Sequence, residues 1–269
     1  LLAGGALGLA GGVYQTLFGN PLASPDLTGV ASGASLGAAC AIVLGAGTSA
    51  QIMGGAFLMG MASLVLVLAL VRWAGLERTG TYILAGVIIS SAADAGLMVL
   101  KTVADPEGEL AAIEFWTMGS LAAMTADKVW PAAAAILIPA LLIFLFRQRL
   151  LILSMGEESA RTMGLAPGPW RSLLLGLTTL MVAAVVSVAG VVAFVGLIAP
   201  HIAFLLLGRR GGPYLPLCAL VGGDILLAAD LLARSLAGGG ELPLSIWTVC
   251  FGVPVLLALL VGQRGGRDG

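Results

Sequence analysis

The stretch Gln51–Val71 reads Q-I-M-G-G-A-F-L-M-G-M-A-S-L-V-L-V-L-A-L-V and contains no charged residue. A helix needs about 20 consecutive apolar residues to cross the hydrocarbon core of a bilayer, and this stretch has that length. The whole chain has a similar character, because apolar residues make up 59% of its 269 positions and charged residues only 10%. Soluble domains carry roughly a quarter charged residues. The sequence therefore predicts a protein whose solvent is lipid.

Nine apolar segments follow one another along the chain, separated by charged or turn-forming residues. They predict an all-α, polytopic transmembrane bundle that forms one domain over residues 1–269. The seventh segment is short, and we expect Gly190 to break or tilt the chain just before it. The segments lie at Leu1–Leu17, Gly29–Gly45, Gln51–Val71, Tyr82–Leu100, Pro131–Phe146, Ser172–Val191, Phe194–Leu207, Leu215–Leu236 and Ile246–Val261.

Lys and Arg are distributed unevenly between the two sets of connections, and the side that carries more of them is expected to be cytoplasmic. Nine spans with a cytoplasmic C-terminus would place Leu1 outside. A protein could be built that way, but a missing first helix explains it more simply, so we expect an N-terminal truncation and ten spans in all. The inner residues are Arg72, Arg78, Arg147, Arg149, Arg161, Arg171, Arg209, Arg210, Arg264 and Arg267; the outer residues are Lys101, Lys128 and Arg234.

The longest outer connection runs from about Lys101 to Trp130. Its middle, Ala111–Met124, is apolar enough to form a short helix that lies at the membrane interface. Trp116 and Trp130 would then act as interfacial anchors. An irregular extracellular loop is the alternative interpretation.

Glycines recur at four-residue spacing in the first two segments. Small residues at this spacing let helix backbones approach closely in lipid, where the hydrophobic effect does not drive helix association. We therefore expect both helices to be packed inside the bundle, and this structural role is favoured over contact with a ligand. The two sets are Gly4, Gly8 and Gly12, and Gly29, Gly33 and Gly37.

The inner loop from Arg147 to Pro169 carries the signals of a short helix. Ser154 followed by Glu157 has the spacing of a capping box, and Gly164 is a suitable helix end. A helix of about two to three turns is marginal in isolation, so something should hold it. Two alternatives stay equally open at this point: the helix docks on its own bundle, or it docks on a cytoplasmic partner.

The connection Asn20–Pro25 reads N-P-L-A-S-P. Two prolines in six residues prevent a continuous helix and stiffen the turn. A tight connection is the favoured interpretation, and a contact with a partner is the alternative.

Four ionisable residues lie in or near the predicted spans, where a charge is costly and often functional. Asp230 and Arg234 can pair at i, i+4 near the outer end of their helix. Asp94 and Asp224 have no partner nearby in the sequence. A proton or cation site is one interpretation of these two, and hydrogen bonding to a neighbouring helix is the favoured one.

Motifs of independent catalysis do not support an enzyme. The sequence contains no GxxxxGK[ST] motif for nucleotide binding and no HExxH motif for zinc. The three cysteines are far apart in apolar runs, and His201 has no carboxylate or cysteine beside it, so we predict no catalytic residue and no metal site. No basic patch is interleaved with aromatic residues, which argues against nucleic-acid binding.

Four blocks of residues carry a resemblance to a known family and occur in its order. On these motifs the chain resembles the FecCD-type permeases of bacterial ABC importers, which take up iron–siderophore complexes, haem and cobalamin. The blocks are G-x-x-x-Q-x-x-F-x-N-P-L-A-x-P-x-x-x-G-x-x-S-G-A at Gly11–Ala34, G-E-x-x-A-x-x-x-G at Gly156–Gly164, F-V-G-L-I-A-P-H-I-A at Phe194–Ala203, and A-D-x-x-A-R at Ala229–Arg234 with E-L-P at Glu241–Pro243.

The resemblance implies ten helices in a bacterial inner membrane, a second permease subunit (expected to be a homodimer partner), and a translocation path between the two. It implies two cytoplasmic ABC ATPase subunits on the loop 147–169, a substrate-binding protein outside, and transport by alternating access. ATP and Mg would be bound by the ATPase, so no cofactor is expected in this chain. By resemblance the coupling residues are Gly156, Glu157, Ala160 and Gly164, the docking residue is Arg234, and the structural motif residues are Asn20, Pro21, Pro25, Pro200, His201 and Asp230.

The resemblance also makes Tyr82–Leu100 the pathway helix, in which Asp94 departs from the usual apolar and small residues. An iron–siderophore complex is the expected substrate only because it is the commonest one in the family. The main alternative is an ion- or proton-coupled secondary transporter, which would have inverted repeats and helices broken at midplane. No convincing repeat is visible in the sequence.

Overall fold

The computed structural model describes residues 1–75, 79–122, 124–236 and 242–265, and all regular structure within them is helical. Each of the nine predicted segments overlaps one helix, and three shorter helices lie in the connections. The helices are α1 Leu2–Phe18, α2 Val30–Val43, α3 Ser49–Ala74, α4 Thr79–Val103, α5 Glu109–Met118, α6 Ala126–Leu145, α7 Arg147–Ser154, α8 Glu157–Thr162, α9 Pro167–Ala189, α10 Val195–Leu207, α11 Tyr214–Ser235 and α12 Leu244–Gly265.

Five of these helices, α3, α4, α6, α9 and α11, are long and apolar enough to cross a membrane. Helices α2, α10 and the first part of α12 are apolar but shorter. The predicted all-α, multi-pass membrane bundle is therefore confirmed. Three of the predicted inner residues, Arg149, Arg171 and Arg210, contact side chains or carbonyls at the same end of the bundle, which we call the inner end.

Helices α1 and α9 form the centre of the bundle, and the glycine pattern explains how α1 enters it. Helix α1 is buried along most of its length against α9, α10 and α11. A methyl group at Gly8 would overlap the carbonyl oxygen of Cys218 on α11, and one at Gly37 on α2 would overlap that of Gly55 on α3. The predicted packing of both helices inside the bundle is confirmed, since only glycine permits these approaches.

Gly29 differs from the rest of its predicted ridge because it lies just before α2. It has φ 71, a left-handed conformation, and it ends the 3-10 helix Pro25–Thr28. Its Cα faces Ser90 on α4, roughly 16 Å along that helix from Thr79 at 1.5 Å per residue. Helix α2 therefore begins deep inside the bundle, and the connection 19–29, which we call the re-entrant segment, folds back from the inner end to reach it.

Helix α10 is the second helix that starts inside the bundle. Gly190 ends α9 with φ 71, as predicted, and Phe194 adopts a left-handed conformation just before α10. A methyl group at Gly196, in the first turn of α10, would touch the ring of Pro25. Helices α2 and α10 have 14 and 13 residues, about 20 Å at 1.5 Å per residue. Non-helical backbone is tolerated at this depth because protein surrounds it.

The order of helix lengths is repeated in the chain. Helices α1 to α4 have 17, 14, 26 and 25 residues, and α9 to α12 have 23, 13, 22 and 22. In each set the short second helix packs against the third and the fourth. Between α1 and α9 the chain crosses the bundle four times, in α2, α3, α4 and α6. Helix α9 therefore starts at the end where α1 finishes, and the two helices run in opposite directions. The two sets therefore share an order of helix lengths and run in opposite directions, which is the kind of arrangement that an inverted repeat produces, so the fold alone does not separate an importer permease from a secondary transporter.

The outer connection contains a short helix, α5, as predicted, but this helix ends at Met118 and not at Met124. Gly119 stops it with φ 74. The N–H of Ser120 donates to the carbonyl of Ala189 at 2.9 Å, and the N–H of Leu244 donates to the carbonyl of Gly119 at 3.0 Å. The connection is thus pinned to the outer ends of α9 and α12.

Candidate functional site

The inner loop Arg147–Pro169 forms two helices, α7 and α8, and the predicted capping box is wrong. Helix α7 continues through Ser154, so this residue stands at a helix end, and its hydroxyl donates to the carbonyl of Leu151 at 2.7 Å. Gly156, with φ 103, starts α8 without a side-chain cap. The carboxylate of Glu157 does not bond back to Ser154, as a capping box requires, but accepts from Arg171. The predicted end at Gly164 is confirmed by its φ of 76.

Helices α7 and α8 have an inward face and an outward face. Leu150, Leu153 and Ala160 are fully buried against the bundle. Met155 and Met163 are 62% and 56% exposed. The outward face, which we call the docking face, consists of Met155, Glu158, Arg161 and Met163. Of the residues predicted to couple, Ala160 and Glu157 face the bundle, while Gly156 and Gly164 shape the ends of α8.

An ion pair joins α8 to α9. Nη1 of Arg171 lies 2.9 Å from Oε1 of Glu157, and the side chains are 4% and 39% exposed. The guanidinium carbon of Arg171 also lies 5.8 Å from the ring centre of Tyr82 on α4. Moving a guanidinium out of water costs free energy unless a partner compensates its charge, so the buried Arg171 needs such a partner. Arg171 and Tyr82 were not among the predicted site residues.

A second cation lies against aromatic rings and joins α7 to α9. The guanidinium carbon of Arg149 lies 4.4 Å from the ring centre of Trp170 and 5.4 Å from that of Phe146. Such contacts stabilise by about 0.5–1 kcal/mol at exposed positions. The loop is therefore held to the bundle by two arginines and by the buried side chains of its inward face.

Aromatic side chains continue from Tyr82 to the re-entrant segment. The rings of Tyr82 and Phe18 are 6.5 Å apart, and those of Phe18 and Tyr14 are 5.6 Å apart. The hydroxyl of Tyr14 donates to Oγ1 of Thr28 at 3.1 Å and lies 3.4 Å from Oγ1 of Thr179. The inner ends of α1, α4 and α9 and the re-entrant segment thus meet in one buried cluster.

The turn Asn20–Pro25 is a tight connection that interrupts the helix, as the sequence predicted. The N–H of Leu22 donates to Oδ1 of Asn20 at 2.9 Å, and Pro25 begins the 3-10 helix and is buried. Leu22 itself is 62% exposed at the tip. Pro21 precedes it and is exposed as well. The turn therefore presents an apolar tip on a stiff base.

The two isolated aspartates are not hydrogen-bonded to neighbouring helices, so the favoured interpretation of both is wrong. Asp94 is half-buried on α4 and Asp224 is exposed on α11. Neither makes a hydrogen bond or ion pair with any residue that the structure describes. Helix α4 is also the least buried of the five long spans, with 17% of its apolar window inside the bundle.

The predicted pair of Asp230 and Arg234 is confirmed. Nε of Arg234 donates to both carboxylate oxygens of Asp230 at 3.0 Å, and Nη2 donates to the carbonyl of Leu121 at 3.3 Å. Arg234 remains 52% exposed at the outer end. Glu241 of the neighbouring motif, and Arg78 and Arg267 of the predicted inner side, lie outside the described residues.

The remaining motif residues lie inside helices of the bundle. Pro200 and His201 are buried in α10, and within the described part of the chain Nε2 of His201 has no hydrogen-bond partner. Gly33–Gly37 has the G-x-S-x-G spacing of a hydrolase elbow, but it lies inside α2, and Ser35 donates back to Ala31. In the described ranges no three His, Cys, Asp or Glu side chains gather in one place.

A cleft of about 620 Å³ lies apart from this cluster. It opens between the outer halves of α3 and α6, with α9 as its floor, and Met53, Phe57 and Ala132 line it. Most of its lining side chains are apolar, and none of them belongs to the inner loop. The residues with candidate functions lie instead in the inner-end cluster and on the exposed face of α4.

Comparisons with known proteins agree with each other. The model of the FecCD transport family matches residues 1–262. The vitamin B12 import system permease protein BtuC of Citrobacter koseri is 38% identical over 267 residues, which cover 98% of this chain and 80% of the relative. The protein of the same name from Klebsiella pneumoniae is 36% identical over 268 residues, with the same coverage.

Two solved structures are similar as well. A metal-chelate type ABC transporter in an inward-facing conformation superposes with a TM-score of 0.91 at 33% identity, over 97% of this chain and 83% of that one. PsaBC from Streptococcus pneumoniae, in complex with Fab, superposes with a TM-score of 0.65 at 20% identity, over 96% and 87%. The second similarity is one of fold.

Proposed function

Because this chain belongs to the FecCD transport family, we propose that it is the membrane-spanning permease subunit of an ATP-driven importer in a bacterial inner membrane. Two copies would form the translocation path. A binding protein would deliver the substrate from outside, and alternating access would release it into the cytoplasm. The chain itself would hydrolyse nothing, since ATP and Mg would be bound by two cytoplasmic ABC ATPase subunits.

The observation that carries this proposal is the docking face of α7 and α8. Met155 and Met163 are exposed at the end of the bundle where arginines cluster, which the distribution of positive charge predicts to be cytoplasmic and outside the lipid. Exposed apolar side chains outside the membrane are typical of a surface that a partner covers, and methionine adapts well to such contacts. Glu157 and Ala160 would hold the helix in place while the docking face meets the ATPase.

The cargo that we propose is a metal chelate, with cobalamin placed first. The relatives at 36% and 38% identity are permeases of vitamin B12 import, and the similar inward-facing structure is a metal-chelate type transporter. The expectation of an iron–siderophore complex rests only on its being the commonest substrate in the family. It becomes the second substrate to test, and haem the third.

Two further roles belong to this proposal. Arg234 is half-exposed and already oriented by Asp230, so it can receive a carboxylate of the binding protein. Asp94 lies on α4, the most exposed of the long spans, and ionisable residues at membrane depth usually face a partner helix or an aqueous path. We place Asp94 on the path between the two copies.

The secondary transporter keeps one observation in its favour, which is the repeated order of helix lengths in two sets of opposite direction, each with a short helix that starts inside the bundle. It predicts that the double variant Asp94→Asn/Asp224→Asn abolishes transport while stimulation of an ATPase survives. The importer predicts that transport follows ATP hydrolysis in this variant as in the wild type.

The test of the proposed function is purification of the tagged, full-length protein from native membranes in mild detergent. We expect an ABC ATPase to co-purify in stoichiometric amount, and Met155→Glu/Met163→Glu to abolish this without unfolding the bundle. Met118→Glu, on a 39% exposed methionine at the outer side, is the matched control and should leave the complex intact. A wild-type protein that stays free of any ATPase after crosslinking would overturn the proposal.

The substrate is tested on the same complex. After reconstitution with its binding protein in liposomes, uptake of labelled cobalamin, iron–siderophore and haem is compared with and without ATP. ATP-dependent uptake of cobalamin alone would support cobalamin as the first of the three proposed substrates. Uptake of an iron–siderophore alone would restore the expectation from the sequence.

A further inference from the structure

We propose that Arg171 is a positioning residue that transmits movement of the docked loop to the inner ends of α4 and α1. This inference rests on the proposed function, because it requires an ATPase that moves α8. It assigns the transmission to the contacts of one guanidinium with Glu157 on one side and Tyr82 on the other.

The first contact ties α8 to the bundle. Helix α8 has only six residues, too few to be stable alone, so its position depends on what it touches. Its inward anchors are the buried methyl group of Ala160 and the carboxylate of Glu157, 2.9 Å from Arg171. A partner that pulls on the docking face therefore pulls on Arg171.

Burial makes this contact stiff. The side chain of Arg171 is only 4% exposed, so water cannot easily replace Glu157 if α8 moves. Separating a buried charge from its partner is far more costly than separating an exposed pair. Arg171 is therefore expected to follow Glu157, and the movement reaches the first turn of α9.

The second contact passes the movement to α4. The guanidinium carbon of Arg171 lies 5.8 Å from the ring centre of Tyr82, which is 2% exposed in the second turn of α4. The hydroxyl of Tyr82 lies 3.4 Å from Oγ of Ser172, the residue after Arg171. Tyr82 is thus held by two successive residues of α9.

Tyr82 then meets α1 and, through it, the re-entrant segment. Its ring is 6.5 Å from that of Phe18, which ends α1, and Tyr14 bonds Thr28 at 3.1 Å. Buried, packed contacts of this kind move together because the interior has no free volume to absorb a shift. Helices α4 and α1 both contact the 3-10 helix of the re-entrant segment, whose exposed tip is Leu22, so a shift of this cluster would move that segment at the inner end.

The experiment measures transport per ATP hydrolysed in liposomes that contain the complete importer of permease, ATPase and binding protein. The variant Tyr82→Leu keeps the ion pair between Arg171 and Glu157 and removes the contact of Arg171 with an aromatic ring. We expect the ATPase to remain bound and hydrolysis to continue, while transport per ATP falls at least about five-fold, the lower end of usual coupling between sites. Tyr82→Phe keeps the ring and should stay near the wild type.

A charge exchange separates transmission from a merely structural role. Glu157→Arg/Arg171→Glu restores an ion pair but places no cation beside Tyr82. We expect it to recover ATPase binding lost in either single variant, yet to keep a low transport per ATP. Full recovery of transport per ATP would show that only the ion pair matters and would overturn the proposal, as would an unchanged ratio in Tyr82→Leu.

The matched control is the ion pair of Lys101 and Glu114 at the outer side, with a distance of 2.8 Å. Lys101→Gln should leave transport per ATP unchanged. If Tyr82→Leu does not assemble, the charge exchange decides alone. If no ATPase binds the wild-type permease, the proposed function fails, and that result differs from an assembled complex that keeps its ratio.

Discussion

The inner loop and the outer connection of this protein are built alike and held differently. Each places one or two short helices between two long spans, and an arginine of a long helix, itself paired with a carboxylate, bonds to each: Arg171 to Glu157 of the inner loop, and Arg234 to the carbonyl of Leu121 in the outer connection. At the inner end Arg171 is 4% exposed, and its neighbours are Glu157 and the ring of Tyr82. At the outer end Arg234 is 52% exposed and pairs with Asp230 on its own helix. The inner charge joins elements that lie apart in the chain, whereas the outer charge mainly faces outward.

The difference separates transmission from recognition. A buried pair between two helices makes their positions depend on each other, because breaking it leaves a charge without solvent. An exposed pair within one helix stabilises little and leaves the arginine available for a binding partner. The outer connection is instead fixed by backbone bonds at Gly119 and Ser120, which bear no charge.

Glu157→Arg should produce the largest effect, because it places a second cation against the buried Arg171. Losing one partner of a buried pair costs about 3–5 kcal/mol, and the half-exposure of Glu157 brings the expected value toward the lower end. We expect transport to be abolished while the bundle stays folded. The measurement is uptake in liposomes beside circular dichroism and gel filtration. Normal uptake would contradict the coupling role of Glu157.

Gly119→Ala should have the next largest effect and tests the backbone anchor of the outer connection. Gly119 has φ 74, and an added methyl group would crowd the carbonyl oxygens of Val191 and Ala189. Strain of this kind costs about 1–3 kcal/mol. We expect a lower Tm in detergent, with ATPase binding unchanged. A Tm equal to that of the wild type would mean that the connection is not pinned there.

Arg234→Ala should hardly change stability but should weaken binding of the substrate-binding protein. An exposed ion pair contributes about 0.2–1 kcal/mol to folding, so we expect little shift in Tm. Exposed charges at an interface act mainly on the association rate, so the loss should be greatest at low salt. Surface plasmon resonance at two salt concentrations checks this. Equal losses at both concentrations would speak against a steering charge.

Lys101→Gln should have the smallest effect of the four. Its pair with Glu114 is 28% and 46% exposed, and no proposed partner needs it. We expect a change in stability of less than about 1 kcal/mol and unchanged transport. A large loss of transport would show that the outer surface contributes more than recognition through Arg234.

Local patterns in the sequence predicted local structure well. The apolar runs placed every long helix, because the length of a span depends only on consecutive residues. Asp230 and Arg234 paired as predicted, since a spacing of four residues brings two side chains to one helix face. The break at Gly190 and the helix end at Gly164 followed from glycine's access to left-handed backbone.

Interactions between distant residues overturned other expectations. Ser154 did not cap α8, because α7 extends over it, and Glu157 turned to Arg171, 14 positions further along. The depth at which α2 begins depends on contacts of Gly29 and Leu27 with α4, which no local pattern encodes. One signal could have been read earlier: Arg171 stands alone at the start of a long apolar run, where a charge needs a partner.

Composition and motif spacing alone thus established a multi-pass helical membrane protein and a family resemblance, which the match of the family model to residues 1–262 then confirmed. Packing alone determined that two helices begin inside the bundle, that two sets of helices share an order of lengths, and that Arg171 lies between Glu157 and Tyr82. The physical reason is one of range. Hydropathy, helix periodicity and turn chemistry act over a few neighbouring residues, whereas a buried charge takes whichever partner the completed bundle brings within 3 Å or so.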